Sequence, residues 1–327
     1  MTLILRRQDV EEHLNMEVTM AAVEQAFVDH GNGRTQMPDR PVLDFTQYHG
    51  MLGVMPGYLE RLGAAGVKVI SHHEDNHQKG LPESMGLIIY NDPATGMPLA
   101  IMDCAYITKM RTGAATGVSV KYLAKANAKV MGIIGTGALA SAQIEAINYV
   151  CNLTMVKAYD INPAATANLL LQIADLGPEI QVVDSPREAC TGVDILVTCT
   201  TARSPFVRAE WVKAGMHIVS VGADMPHRRE LSTGVYARAD KWITDIPNQA
   251  LVTGEVTDAI AQGVISEDAI HATLGEIVAG KRSGRKDEAE VTIFKSTGMA
   301  IQDMATAKKV YELAQEKGIG LEVSITP

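Results

Sequence analysis

The chain of 327 residues carries 29 Lys and Arg against 38 Asp and Glu, a formal net charge of -9, with 46% hydrophobic and 20% charged residues. That apolar share is enough for a substantial core and excludes a disordered chain, while the length predicts two compact domains. The acidic balance argues against nucleic acid or an anionic membrane as partner, and no apolar run approaches the roughly 20 residues that span a bilayer.

The N-terminus, Met1-Thr-Leu-Ile-Leu-Arg-Arg7, lacks the layout of a signal peptide, so a cytoplasmic protein is expected. Asp9 to His30 reads as one helix, with Asp9 as cap and Met20, Val23 and Phe27 on one face. From Pro38 to Asp103 short apolar runs broken by turn residues predict a sheet: Pro41-Val-Leu-Asp-Phe45, Met51-Leu-Gly-Val-Met55, Gly66-Val-Lys-Val-Ile70, Gly86-Leu-Ile-Ile-Tyr90 and Leu99-Ala-Ile-Met-Asp103. Thr108 to Ala124 reads as a helix, followed by the small polar joint Lys125-Ala-Asn-Ala-Lys129. Beyond the joint, strand-like runs at 130–134, 155–159, 180–183, 195–198, 217–221 and 241–244 alternate with helical ones, the pattern of a doubly wound parallel sheet. Gly298 to Glu316 is helical again and is expected to return to the first domain. The fold class is therefore α/β, a Rossmann sheet at 121–299 plus an α+β substrate and dimerisation domain at 1–120 with 300–327 returning.

Gly135-Thr-Gly-Ala-Leu-Ala140 follows a strand and opens a helix. Gly135 suits the tight turn, Gly137 the close approach of backbone to a pyrophosphate, and Ala140 the packing of helix on strand. The helix N-terminus adds amides and dipole for a phosphate. The next strand ends at Asp160, whose carboxylate can accept from ribose hydroxyls and repels a 2'-phosphate. With no arginine beside it, NAD is favoured over NADP. Thr200 and Thr201, at the end of another strand, border the same edge.

For the substrate, Arg40 precedes a strand, Lys68 sits inside an apolar strand-like run, Arg111 lies in a small apolar helix and Asp224 follows a strand end. Arginine and lysine together suit a carboxylate. Ser71-His-His-Glu-Asp-Asn-His77 concentrates histidines and acids, but adjacent His72 and His73 diverge in an extended chain, so no metal is expected. Cys104, Cys151, Cys190 and Cys199 make no CxxC pair and are expected to be buried free thiols.

The chain resembles the ornithine cyclodeaminase and mu-crystallin family over essentially its whole length. The resemblance rests on Gly80-Leu-Pro82, Met110-Arg-Thr-Gly-Ala-Ala115, Val120-Lys-Tyr-Leu-Ala124, the glycine motif, Gly222-Ala-Asp-Met-Pro226 with Glu230-Leu231, and Thr292-Ile-Phe294 with Ser296-Thr-Gly298. Gln36-Met-Pro38, Ala209-Glu-Trp-Val212, His271-Ala-Thr-Leu-Gly-Glu276 and Ala300-Ile-Gln-Asp303 are most similar to the archaeal alanine dehydrogenase branch. The resemblance implies a homodimer, carboxylate binding by Arg40, Lys68 and Arg111, and catalysis by Asp224 and Lys68. It further implies cofactor contacts from Arg111, Thr112, Gly135, Thr136, Gly137, Ala138, Leu139, Asp160, Ile161, Thr200, Thr201, Val221 and Lys295.

The implied activity is NAD(H)-dependent reduction of a small 2-imino acid to the L-amino acid by hydride transfer to C2. Ornithine cyclodeamination with catalytic NAD, and a mu-crystallin-like binding role, stand as alternatives. Two positions depart from the family. Gly53 replaces the glutamate of cyclodeaminases and the arginine of the alanine dehydrogenase branch. Lys295 replaces a common aspartate, and its charge, placed near the site, would welcome a second substrate carboxylate such as that of iminosuccinate.

Overall fold

The computed structural model describes residues 1–325, which divide into two compact units, one of residues 1–111 with 299 onward and the other of residues 112–298. The first boundary falls inside the helix Ala105–Leu123, ahead of the expected 120/121.

The first unit is built on one sheet. Its strands are β1 (Thr2–Leu5), β2 (Thr35–Gln36), β3 (Val42–Phe45), β4 (Gly50–Leu59), β5 (Ala64–His73), β6 (Ser84–Asn91), β7 (Pro98–Asp103) and a last strand, Leu321–Val323. The order is last strand-β1-β7-β6-β5-β4-β2, with β3 also pairing β4. The long β4–β5–β6 meander is antiparallel, and its register sets Met55 opposite Lys68 and Lys68 opposite Ile88. Cross-strand partners share a face, so Lys68 points with buried Met55 and Ile88 to the side covered by the helices Met16–Gly31 and Ala300–Lys317. Gly57 lets the second helix come close, since a Cβ built there would lie 3.1 Å from the Ala300 backbone.

The single helix expected over Asp9–His30 is two, Arg7–Glu11 and Met16–Gly31. Asn15 restarts the chain by accepting a hydrogen bond from Val18 N at 2.9 Å, and Asp9 sits inside the first helix rather than capping it. The strands Thr2–Leu5 and Leu321–Val323 were not expected. They are short and exist because β1 pairs antiparallel with the last strand and parallel with β7.

The second unit is a parallel sheet of β8 (Val130–Ile134), β9 (Met155–Tyr159), β10 (Glu179–Val182), β11 (Ile195–Thr198), β12 (His217–Ser220), β13 (Lys241–Thr244), β14 (Ile270–Thr273) and β15 (Thr292–Lys295). The order is β10-β9-β8-β11-β12-β15-β13-β14, every pair parallel. Strand order reverses between β8 and β11, the switch point at whose C-terminal edge such sheets bind ligands. Leu196, Ile218, Trp242 and Ile293 fill one face, with Tyr236 edge-on to Trp242 at 5.6 Å. Burial of that apolar surface is the main stabilising term. Among the described residues no helix is long and apolar enough to cross a membrane.

Candidate active site

The glycine turn leaves β8 at the switch point. Gly135 has φ +96°, and a Cβ there would stand 2.7 Å from the Cys199 carbonyl oxygen, so both conformation and space require glycine. Gly137 differs: nothing lies within 4 Å of a Cβ built on it. That open, exposed position leads through exposed Ala138 and half-buried Leu139 into the helix Ala140–Cys151, whose N-terminal amides and dipole suit a pyrophosphate. Asp160, at the end of β9, accepts from Thr136 N at 2.6 Å and Thr136 Oγ1 at 3.1 Å through one oxygen, and from Asn162 N at 2.8 Å through the other. The carboxylate thus braces the glycine turn. Ile161 beside it is 89% exposed. These groups fit a dinucleotide without a 2'-phosphate. Thr200 is half-buried and Thr201 exposed at the end of β11, Val221 is buried after β12, and Thr112 is buried in its helix.

In the first unit, Lys68 and Arg111 converge on a residue that sequence reasoning did not assign, Asp303. Lys68 Nζ lies 2.8 Å from Asp303 Oδ2 and 3.4 Å from Thr108 Oγ1; Arg111 Nε donates to Asp303 Oδ1 at 3.0 Å and its Nη1 to Gln302 Oε1 at 3.0 Å. All three charged groups are buried. Burial pulls the Lys68 ammonium down to about 8, opposed by Asp303 and reinforced by Arg111. Two cations share one carboxylate, so the cluster retains a positive charge that an anionic ligand can neutralise. A signal for Asp303 existed: it is the one charged residue in the stretch Ala300–Ala307 of a helix.

Arg40 is half-buried ahead of β3, and its Cδ would lie 3.7 Å from a Cβ built on Gly53. The other neighbours of such a Cβ, Met51 Cε at 3.6 Å and Ile70 Cγ2 at 3.9 Å, are at ordinary contact distance, so a methyl group would just fit beside the arginine's aliphatic arm.

Asp224 is half-buried beyond β12, its Oδ1 accepting from Arg228 Nη1 at 3.1 Å. Lys295, expected near the cofactor and a second substrate carboxylate, is fully buried at the end of β15. Its Nζ donates to Ser220 Oγ at 2.9 Å, Glu255 Oε1 at 2.9 Å and the Ala223 carbonyl oxygen at 2.6 Å. With three protons spent and Glu255 balancing its charge, it offers nothing to a ligand, which corrects that expectation. Glu255 and Glu230, both buried and both unassigned from sequence, complete this cluster. Burial, then Glu255, raises Glu230 to about 7; burial would raise Glu255 as well, but Lys295 and two backbone amides bring it below the usual carboxylate value.

The histidine run is occupied locally. His72 bonds Ser84, His77 bonds the Glu74 carbonyl, and His73 stacks on Phe45. Among the described residues no group of three or more His, Cys, Asp or Glu could hold a metal. The cysteines are free, Cys104 and Cys190 buried and Cys151 and Cys199 only partly so, and Cys199 Sγ donates to the Gly135 carbonyl.

A parallel sheet with a glycine turn at its switch point defines a dinucleotide-fold unit, and the other unit concentrates buried cations. The profile of the ornithine cyclodeaminase/mu-crystallin family matches residues 1–318, and the chain belongs to that family. It is similar to the Thermococcus litoralis Delta(1)-pyrroline-2-carboxylate reductase solved with NADH and L-proline, at 42% identity and TM-score 0.95 over 98% of this chain and 100% of that one. It is similar to an archaeal alanine dehydrogenase dimer with bound NAD, at 43% identity and TM-score 0.94 over 99% of each chain. It also matches the Paracoccus denitrificans iminosuccinate reductase solved with NAD+, at 31% identity and TM-score 0.92 over 99% of each chain.

Proposed function

We propose that this protein is an NAD(H)-dependent oxidoreductase that reduces a small 2-imino acid to the L-amino acid. The observation that carries this is the buried Lys68–Asp303–Arg111 cluster, whose two cations and one carboxylate leave a positive charge for the substrate's carboxylate. Gly135, Thr136, Gly137, Ala138, Leu139, Asp160, Ile161, Thr200, Thr201 and Val221 hold the dinucleotide. NADH bound there supplies the hydride that C2 of the imine accepts, one reduced nicotinamide being consumed per amine formed.

Arg111 and Lys68 bind and orient the substrate carboxylate, with Arg40 flanking the side-chain space at Gly53. The imine nitrogen takes one proton, and Lys68, its pKa lowered toward the working range of a general acid, donates it. Asp224, braced by Arg228, is the second unit's candidate catalytic carboxylate. The protein acts as a homodimer, consistent with exposed apolar Val42, Leu43, Leu81, Met85 and Leu87 on and beside the first unit's sheet.

The test is loss of NADH absorbance with pyrroline-2-carboxylate, with pyruvate plus ammonia or methylamine, and with oxaloacetate plus ammonia. Turnover of at least one, abolished in Lys68→Met, is expected. Proline and ammonia released from ornithine at constant NADH would assign a lyase instead, and tight NAD binding without any turnover would assign a binding protein.

A further inference from the structure

In the second unit, charge is buried behind Asp224 where apolar side chains would be cheaper. A buried ion pair commonly stabilises a fold no more than hydrophobic residues of the same volume, so what it holds in place matters more than its energy. Here it holds a backbone. Lys295 Nζ donates to the Ala223 carbonyl oxygen at 2.6 Å, while the Ala223 amide donates to Glu230 Oε2 at 3.2 Å. Because peptide units are planar, fixing the Ala223 N–H fixes the plane before it and fixing its C=O fixes the plane after it. The two together set the backbone torsions of Ala223 and hence the direction in which Asp224 leaves the chain.

The grips are themselves anchored. Glu230 also accepts from Gly222 N at 3.0 Å, Thr198 Oγ1 at 2.8 Å, and Thr200 N and Oγ1 at 2.7 and 2.8 Å, tying the ends of β11 and β12 together. Glu255 compensates Lys295 through Oε1, which Ser220 Oγ and Tyr236 OH also reach, and its Oε2 accepts from Glu230 N and Leu231 N at 2.7 and 2.9 Å. Every polar hydrogen of the Lys295 ammonium is directed at the protein.

We propose that Lys295 is a positioning residue for Asp224, acting with Glu230 through the peptide groups of Ala223. It is neither a nucleotide ligand nor a docking point for a second substrate carboxylate. The proposal rests on the placement of Asp224 in the active site.

The double variant Lys295→Met/Glu255→Gln removes both charges of the pair and so leaves no unpaired one behind. Amide exchange in the 220–226 segment, and at the Glu230 and Leu231 amides that Glu255 holds, is expected to speed up by about tenfold or more, with the rest of the second unit unchanged. The kcat for the imine substrate is expected to fall by about 10- to 100-fold, while its KM and the NADH Kd change less than about twofold, within experimental scatter of a positioning effect. Ser220→Ala, which deletes one partner of the ammonium, is expected to move exchange and kcat the same way by a smaller factor, and it decides the matter if the double variant does not fold.

A weakened NADH Kd with unchanged exchange would make Lys295 a cofactor ligand and overturn the proposal. A raised KM confined to a dicarboxylate substrate would overturn it in favour of substrate docking, and wild-type exchange with wild-type kcat would overturn it outright. If the wild-type protein turns over no imine, the proposed reaction fails, whereas the exchange measurement still decides whether the clamp exists.

Discussion

Lys68→Met isolates what it costs to keep an ammonium inside the first unit. The side chain is buried between two strands and a helix, and its pKa falls from 10.5 to about 8 chiefly through burial. That difference corresponds to about 3 kcal/mol against the protonated folded form. The folded pKa lies below the unfolded one, so between about pH 8 and about pH 10.5 the unfolded chain holds a proton that the folded chain lacks. Stability contributed by this residue therefore rises with pH through that window, and the full penalty stands below it. Methionine occupies a similar volume without a titrating group, and Asp303 keeps Arg111 Nε at 3.0 Å. The stability of the variant minus that of the wild type is expected to shrink by about 2.5 kcal/mol between about pH 7 and about pH 10, since other titrations cancel in the difference. Urea unfolding of both proteins across that range, at matched m values, measures it. A difference that stays constant or grows with pH would refute the picture of a strained buried ammonium. Turnover is expected to fall by about 10²-fold or more in the same variant.

Asp303→Asn removes the charge that raises the Lys68 pKa, so the alkaline limb of the kcat/KM profile is expected to move below about pH 8, and an unmoved limb would assign it to another group. Gly137→Ala should leave the thermal midpoint of the free protein unchanged, because its Cβ meets nothing, yet weaken NADH by about tenfold or more in a fluorescence titration. Gly135→Ala, strained at φ +96° and crowded by Cys199, should lower the midpoint itself, by about 1–3 kcal/mol in stability. Asp160→Ser loses the brace on Thr136 and the charge that repels a 2'-phosphate. NADH is expected to bind about 5- to 100-fold more weakly and NADPH to gain relative to it, as paired Kd values would show.

The dinucleotide half was legible because its signals are local. The strands β8, β9, β11 and β13 are mainly apolar runs between turn residues, and the glycine turn and Asp160 lie within thirty consecutive positions. What escaped was non-local. Neither β14 nor β15 was anticipated, because Ile270–Thr273 carries a histidine and a threonine and Thr292–Lys295 ends in a lysine whose burial depends on partners far along the chain. Asp303 is separated from Lys68 and Arg111 by most of the sequence, and only the return of the Ala300–Lys317 helix to the β4–β5–β6 meander brings them together. The break at Asn15 was missed for the opposite reason, since an apolar period that continues across a cap looks like one helix.

Lys295 shows how the same limitation reaches the substrate. Read as a charge added to an apolar strand end, it favoured a second carboxylate; placed in the fold, its charge is cancelled by Glu255 and its protons are spent on Ser220, Glu255 and Ala223. The preference for iminosuccinate therefore loses that support, and the substrate's side chain has to be judged at Gly53. There Met51, Ile70 and the aliphatic arm of Arg40 stand at contact distance around the missing side chain. If the substrate's side chain is bound beside Gly53, a second carboxylate would meet Arg40 there. The relative kcat/KM of the three imines accordingly measures Gly53 and Arg40, and Gly53→Ala should penalise the cyclic substrate more than the pyruvate-derived one.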